Sequence, residues 1–296
     1  MGVRVAGAVL AVVAAVSALG ADAARPSAAQ APRVTVIGDS VASALPYDSG
    51  AVAILSQGVD LNLQLAPCRR LGGESCPYQG ARPPNAIDLI KSLGASLGQT
   101  VIVAVGYNDY EDENAGEIED ALAALEAAGV HHVLWPTLRA TDHSYLTMND
   151  DIQAAATRHP EMTVVDWNVY SRSHPDWFVG DTPHLYGYGA RAMATLFHKA
   201  LVDVGVAPPT PPVRIVTAKL PDARRGKPYT VRLLARGGQP PYRWKQTAPL
   251  PRGLILTSGR LVGVPGAAPG PYKVKLRVSD SVGQTANRLI PLRVLG

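Results

Sequence analysis

Across residues 33–204, short apolar runs rich in β-branched residues alternate with longer runs of helical period, which restricts this stretch to one class of architecture. The strand-like runs are 33–37, 60–65, 100–105, 132–135 and 162–166. Between them, 116–128 sets Ile118, Leu122 and Leu125 on one helical face and stops at Gly129. Residues 85–97, 150–158 and 187–204 also read as helices. Strands that each alternate with a helix predict parallel βαβ units, hence a three-layer α/β/α domain over 33–206. In such a sheet the functional residues gather beyond the carboxyl ends of the strands.

Ala-Pro-Pro-Thr-Pro-Pro at 207–212 is a stiff, extended linker. Beyond it 229–234, 254–256 and 272–278 alternate or run apolar between Gly/Pro turns, which predicts a small all-β sandwich over 213–296. Charge divides at the same place. Residues 1–212 hold 12 Lys/Arg against 22 Asp/Glu, a net −10, and residues 213–296 hold 16 against 2, a net +14. Like charges crowded on one small domain repel unless a partner offsets them.

The amino terminus bears on what that partner is. Arg4, an uncharged Ala/Val-rich run over 5–19 and Ala21-Asp22-Ala23 predict a signal peptide over 1–23, followed by a spacer over 24–32. The run is short and weakly apolar for a span of about 20 residues. The mature chain is therefore expected to be secreted or envelope-associated. Export argues against nucleic acid, the usual partner of a basic module. An anionic cell-envelope polymer or membrane surface remains, as does the acidic first domain. Export also favours a disulfide between the two cysteines, Cys68 and Cys76. They lie in a loop with Gly72, Gly73 and Pro77, where a bridge is easily closed. Two cysteines cannot close a zinc site, and His131-His132 lack carboxylate spacing, so neither metal nor cofactor is expected.

Three short motifs carry the chemistry. Gly38-Asp39-Ser40 directly follows the first strand, where a strand-to-helix turn can expose a serine hydroxyl and aim its own N–H into a site. Gly106-Tyr-Asn-Asp109 follows the third strand, and Asn108 can donate an amide N–H to a developing oxyanion. Asp181-Thr-Pro-His184 precedes the last helix; His184 can take the serine proton and Asp181 can orient the imidazole. Each alone has a bland reading: a capping serine, a turn asparagine, a surface histidine. All three in this order, each at a strand end or helix start, are much harder to reach by accident.

With these residues in place, the chain over about 33–204 resembles the SGNH (GDSL-type) hydrolases. Gly38-Asp39-Ser40 matches the family's first block, Gly106-x-Asn108-Asp109 the third and Asp181-x-x-His184 the fifth. The resemblance implies esterase, lipase or carbohydrate O-deacetylase chemistry, with Ser40 as nucleophile, His184 as base and Asp181 as its partner. It implies an oxyanion hole made of the Ser40 N–H, a glycine N–H from the second block and the Asn108 side chain. The second block departs from the family pattern: the loop reads Leu65-Ala-Pro-Cys-Arg-Arg-Leu-Gly-Gly73, and Gly72, Gly73 or the Arg69 N–H could serve. The second half resembles the bacterial Ig-like (cadherin-like) modules, through Gly238-Gln-Pro-Pro-Tyr-Arg-Trp244, Leu250-Pro-Arg-Gly-Leu254, 259–265 and Val278-Ser-Asp-Ser-Val-Gly283. Such modules adhere or space.

The expected substrate is thus an ester, an acylated glycan or lipid, cleaved through an acyl-enzyme on Ser40. Transfer of the acyl group to a glycan hydroxyl, or a non-catalytic envelope-binding role, are the competing readings. Glu111-Asp112-Glu113 reads as a solvated acidic turn, and Asp142-His143 is too close in sequence to form a dyad. Trp135, Trp167 and Trp177 read as core or pocket wall.

Overall fold

Five strands pair in parallel as β1 (Arg33–Gly38), β2 (Asp60–Leu65), β3 (Thr100–Ala104), β4 (His132–Pro136) and β5 (Met162–Val165), in the order β2-β1-β3-β4-β5. The structure is a computed structural model that describes residues 31–281 and 283–296. The predicted signal peptide and all but the last two residues of the predicted spacer lie outside that range. β1 and β3 are buried along almost their whole length, as strands covered on both faces must be.

The covering helices are α1 (Ser49–Leu55), α2 (Ala86–Leu93), α3 (Glu111–Ala127), α4 (His143–Arg158), α5 (Trp167–Ser171) and α6 (Gly187–Asp203). One apolar cluster joins Val34, Val36, Ile102 and Leu134 to Ile54 of α1 and to Phe197 and Leu201 of α6. A second joins Ile37, Val101, Val103 and Trp135 to Ile90 of α2, Leu122 of α3 and Ile152 of α4. Helices lie on both faces, so the domain has the expected three layers.

The strand order decides where a site can form. β2 lies on one side of β1 and β3 on the other. The connection leaving β1 runs to α1 on one face and that leaving β3 runs to α3 on the other, so a crevice opens between these two strands at their carboxyl ends. Residues after β1, β2 and β3 surround that crevice, and these are the stretches that hold Ser40, the cysteine loop and Asn108.

Beyond the linker, nine antiparallel-rich strands build the second core: β6 (Arg214–Ile215), β7 (Ala223–Arg224), β8 (Tyr229–Arg232), β9 (Ala235–Arg236), β10 (Arg243–Gln246), β11 (Leu254–Thr257), β12 (Arg260–Gly263), β13 (Gly270–Ser279) and β14 (Thr285–Leu295). They form sheets of order β10-β13-β14-β7, β11-β12-β8 and β6-β9. Val274, Leu276 and Val278 of β13 and Ile290 and Leu292 of β14 are buried in one cluster with Leu261. The alternate residues Lys273, Lys275 and Arg277 are exposed, and Lys245 lies directly opposite Arg277 in the register. One sheet face is apolar and packed; the other is a cationic stripe.

The two cores belong to one compact unit spanning 31–296. Gln57 and Gln239 exchange amide hydrogen bonds at 2.6 and 3.2 Å, and Thr210 of the linker bonds both side chains. Among the described residues, no helix is long and apolar enough to cross a membrane.

Candidate active site

Gly38 ends β1 where the chain must turn tightly: a Cβ there would stand 2.5 Å from the Ala42 Cβ and 2.8 Å from a Leu65 methyl. Asp39 follows, fully buried. Its Oδ1 accepts the Val41 N–H at 2.9 Å and its Oδ2 accepts the Tyr107 N–H at 3.2 Å. Burial pushes this carboxyl up to about 6, against backbone N–H groups that favour its charged form. Asp39 thereby staples the nucleophile turn to the loop after β3. Orphaning buried donors of this kind costs about 1–3 kcal/mol each.

Ser40 is half-buried at the turn, and His184 Nε2 lies 3.1 Å from its Oγ, across 144 residues of chain. The loop that delivers His184 is closed below by the Tyr186 N–H on the Trp177 carbonyl and by the Val179 N–H on the His184 carbonyl, both at 2.9 Å. Gly189 sits against that Trp177 carbonyl, where a side chain would collide. The expected serine–histidine pair is therefore in hydrogen-bond contact.

Asp181 is not brought to the imidazole. Among the described residues, no hydrogen bond reaches its carboxylate or His184 Nδ1. The reason is local: Thr182 closes the turn instead. Its N–H and hydroxyl both donate to the Val179 carbonyl, at 3.3 and 2.7 Å, and its hydroxyl accepts the His184 N–H at 3.3 Å. The Asp181 side chain lines a cleft with Arg139 and Arg172.

Asn108 is held on the far side of the crevice. One Nδ2 hydrogen donates to the Arg69 carbonyl at 3.2 Å, which leaves the other to a ligand. Its loop is fixed by Arg70, whose guanidinium contacts Asp109 at 3.2 Å, Glu113 at 2.6 Å and Glu117 at 3.5 Å and lies over the Tyr110 ring. Asp109 Oδ1 also accepts the Leu71 N–H at 2.8 Å. Burial pushes Asp109 up to about 7, and its Oδ2 is buried with no hydrogen-bond partner.

In the second block, the Glu117 carboxylate fills the space beside the Gly72 Cα, with an oxygen 2.6 Å from where a Cβ would stand. The Arg69 N–H bonds the Ala66 carbonyl at 3.3 Å. Gly73 sits between Arg70 and Glu117, and its carbonyl accepts from Asn85 at 2.8 Å. Cys68 is different. It has φ of +68°, a region few residues other than glycine adopt, and its N–H has no acceptor among the described residues. It is bridged to Cys76, as expected. Ala66 before it is tied to the Gly38 carbonyl at 3.0 Å, so this loop is anchored beside the nucleophile turn. The Ser40 N–H likewise has no acceptor among the described residues. Two unpaired backbone donors and one side-chain amide thus follow the ends of three adjacent strands.

Other readings also resolve. Glu111-Asp112-Glu113 is exposed, as expected, and forms the first turn of α3, where the positive helix end favours acids. Asp142 caps α4 by accepting the Ser144 and Tyr145 N–H groups. Trp135 and Trp167 are buried, whereas Trp177 is partly exposed. No group of three or more His, Cys, Asp or Glu is placed to hold a metal among the described residues.

Comparison with known proteins bears mainly on the second core. Residues 211–294 match the family model He_PIG, Putative Ig domain, so the C-terminal part is an Ig-like domain. The chain is 28% identical over 103 residues to the Putative peptidoglycan O-acetyltransferase YrhL of Bacillus subtilis (strain 168). That match takes in 35% of this chain and 16% of the relative, so it spans a small part of the relative's length. Two solved structures align at low identity. The Clostridium thermocellum family 3 carbohydrate esterase gives 12% identity and a TM-score of 0.38 over 58% of this chain and 96% of its own. A putative arylesterase from Agrobacterium tumefaciens str. C58 gives 12% and 0.41 over 58% and 99%.

Proposed function

We propose that this chain is an SGNH-type serine enzyme acting on carboxylic esters, exported from the cell. The observation that carries the reading is the 3.1 Å contact of Ser40 Oγ with His184 Nε2. Ser40 Oγ attacks the acyl carbonyl while Nε2 takes its proton. The carbonyl oxygen becomes an oxyanion that receives hydrogen bonds from the N–H groups of Ser40 and Cys68 and from Asn108 Nδ2. The imidazolium then returns the proton to the departing alkoxide, leaving an acyl-enzyme. A second nucleophile adds to the acyl carbon, His184 takes its proton, and Ser40 is released with that proton restored.

Asp181 is assigned as the carboxylate that turns to Nδ1–H once the imidazolium forms. Cys68 takes the place of the family's second-block glycine, its left-handed backbone presenting the amide that a glycine would. The second nucleophile is water in an esterase or O-deacetylase. A glycan hydroxyl in its place makes the enzyme an O-acyltransferase, a reading that the likeness to the Bacillus O-acetyltransferase favours.

A serine-reactive fluorophosphonate tests the reading. It should label the full chain and fail on Ser40→Ala, and both Ser40→Ala and His184→Ala should lose hydrolysis of aryl acetates while keeping their circular dichroism. Because the two residues act as one unit, the double variant should fall no further. Near-parental turnover by Ser40→Ala would refute the mechanism and favour a non-catalytic envelope-binding role.

A further inference from the structure

Beside the base of the His184 loop, an open cleft of about 360 Å³ runs between the two cores, and neither core encloses it alone. Its hydrolase wall is aromatic. His174 stacks flat on Trp177 at 3.9 Å with 3° between the rings, and Tyr170 packs on Trp177 at 5.5 Å. Tyr188, about half exposed, continues this wall from the first turn of α6. The cleft also has two guanidinium groups. Arg191 is pinned by Asp48 through Nε at 2.8 Å. Arg243, from the Ig-like domain, has no acidic partner among the described residues. It stands at the start of β10, two residues before Lys245, so it extends the stripe of Lys245, Arg277, Lys275 and Lys273 to the cleft.

We propose that this cleft binds an acidic polysaccharide, with pyranose rings laid on the Tyr170–His174–Trp177–Tyr188 wall and sugar carboxylates on Arg243 and Arg191. The C–H faces of a pyranose suit flat aromatic rings, and a carboxylate matches the fork of an arginine. A neutral glycan would leave the unpaired Arg243 unused. A lipid chain would meet two guanidinium groups in a wall whose rings carry hydroxyl and imidazole groups. The Tyr186 N–H bonds the Trp177 carbonyl at the base of the loop that delivers His184, so the cleft wall and the base of that loop share Trp177. That the bound chain also carries the acyl group rests on the ester-enzyme reading above; the binding itself does not.

The test is calorimetric titration of the full chain carrying Ser40→Ala, so that binding is read without turnover, with hexagalacturonate as acidic probe and chitohexaose as neutral probe. Hexagalacturonate should bind saturably, and Kd should rise at least tenfold in Arg243→Ala and in Tyr188→Ala. Both side chains are exposed and outside the packed cores. Absence of hexagalacturonate binding, or equal Kd in Arg243→Ala, would overturn the proposal. Tighter binding of chitohexaose, unaffected by Arg243→Ala, would overturn its acidic character. The parent chain is assayed on aryl acetate in parallel. Hydrolysis without oligosaccharide binding removes the cleft and keeps the enzyme; binding without hydrolysis does the reverse.

Discussion

Replacing Asn108 by alanine tests its proposed role as one donor of an oxyanion hole. The side chain is held by a single hydrogen bond, Nδ2 to the Arg69 carbonyl at 3.2 Å, in a partly buried place. Its loss should lower folding stability by about 1 kcal/mol. The Arg70–Asp109–Glu113 contacts that fix the surrounding loop do not involve Asn108 and should persist. The catalytic cost is larger. Removing one preorganised donor from a developing oxyanion costs about 10²–10³ in kcat, or roughly 2.7–4 kcal/mol of barrier. Because the ground-state carbonyl needs this donor far less than the oxyanion does, KM should change little. Steady-state kinetics on an aryl acetate, with thermal melts in parallel, separates the two effects. A kcat within threefold of the parent, or a change confined to KM, would refute Asn108 as an oxyanion donor and make it a substrate-binding residue. The same arithmetic predicts that Asn108→Asp does no better than alanine, since it sets an acceptor where the oxyanion would form.

Three further outcomes follow from other parts of the fold. The Cys68–Cys76 bridge spans 8 positions, and the chain-entropy cost it removes from the unfolded state is about 2.5 kcal/mol. Cys68→Ser with Cys76→Ser should therefore lower Tm by about 5 °C, and alkylation of the unreduced parent should add no mass; two adducts there would sink the bridge. Burial holds Asp109 at about 7 against an ordinary 3.8, so the native state keeps a proton that the unfolded chain loses across that window. The stability this confers is complete below about 4 and is lost as pH rises through about 7. Calorimetry should show Asp109→Asn flattening the fall in Tm between pH 5 and 8, and an unchanged slope would contradict the assignment. Finally, the cationic stripe of β13 should retain the enzyme on anionic cell envelope. Exposed charges are screened beyond roughly 8 Å at physiological salt, so co-sedimentation with envelope preparations should weaken as salt rises, and more so in Lys273→Glu with Lys275→Glu. Equal sedimentation of parent and variant at low salt would remove the role.

How much of this was readable in advance depends on how local each determinant is. The five strands of the parallel sheet were legible within a residue or so: β1 and β3 are continuous runs rich in β-branched residues and buried on both faces, whereas β2, at the edge, shows itself by the alternation of Leu61, Leu63 and Leu65 with polar residues. Helix starts were less so. α3 begins at Glu111 rather than Gly116 because an acidic triplet suits a helix's first turn as well as it suits water. α4 begins at His143, seven residues before the readable pattern, since its first two turns bury only Met148 and Asn149. α1, with seven residues, is too short to show a period at all.

The site divides along the same line. Ser40, Asn108 and His184 were legible as candidates because their chemistry lies in their side chains and each follows a strand end or precedes a helix. Asp181 was placed by its spacing from His184, but spacing does not say where a side chain turns, and the backbone of this loop is closed by Thr182. The Arg70 cluster joins residues 39 to 47 positions apart, and nothing in either segment marks the other. The proposed second backbone donor was the hardest to see. A free N–H belongs to every residue except proline, so composition cannot single one out. A left-handed φ narrows the choice, and Gly73 and Cys68 both have one, at +57° and +68°. Glycine makes such a backbone easy. In this chain Cys68 holds it without glycine, bridged to Cys76 and following Pro67, which has no N–H of its own to place.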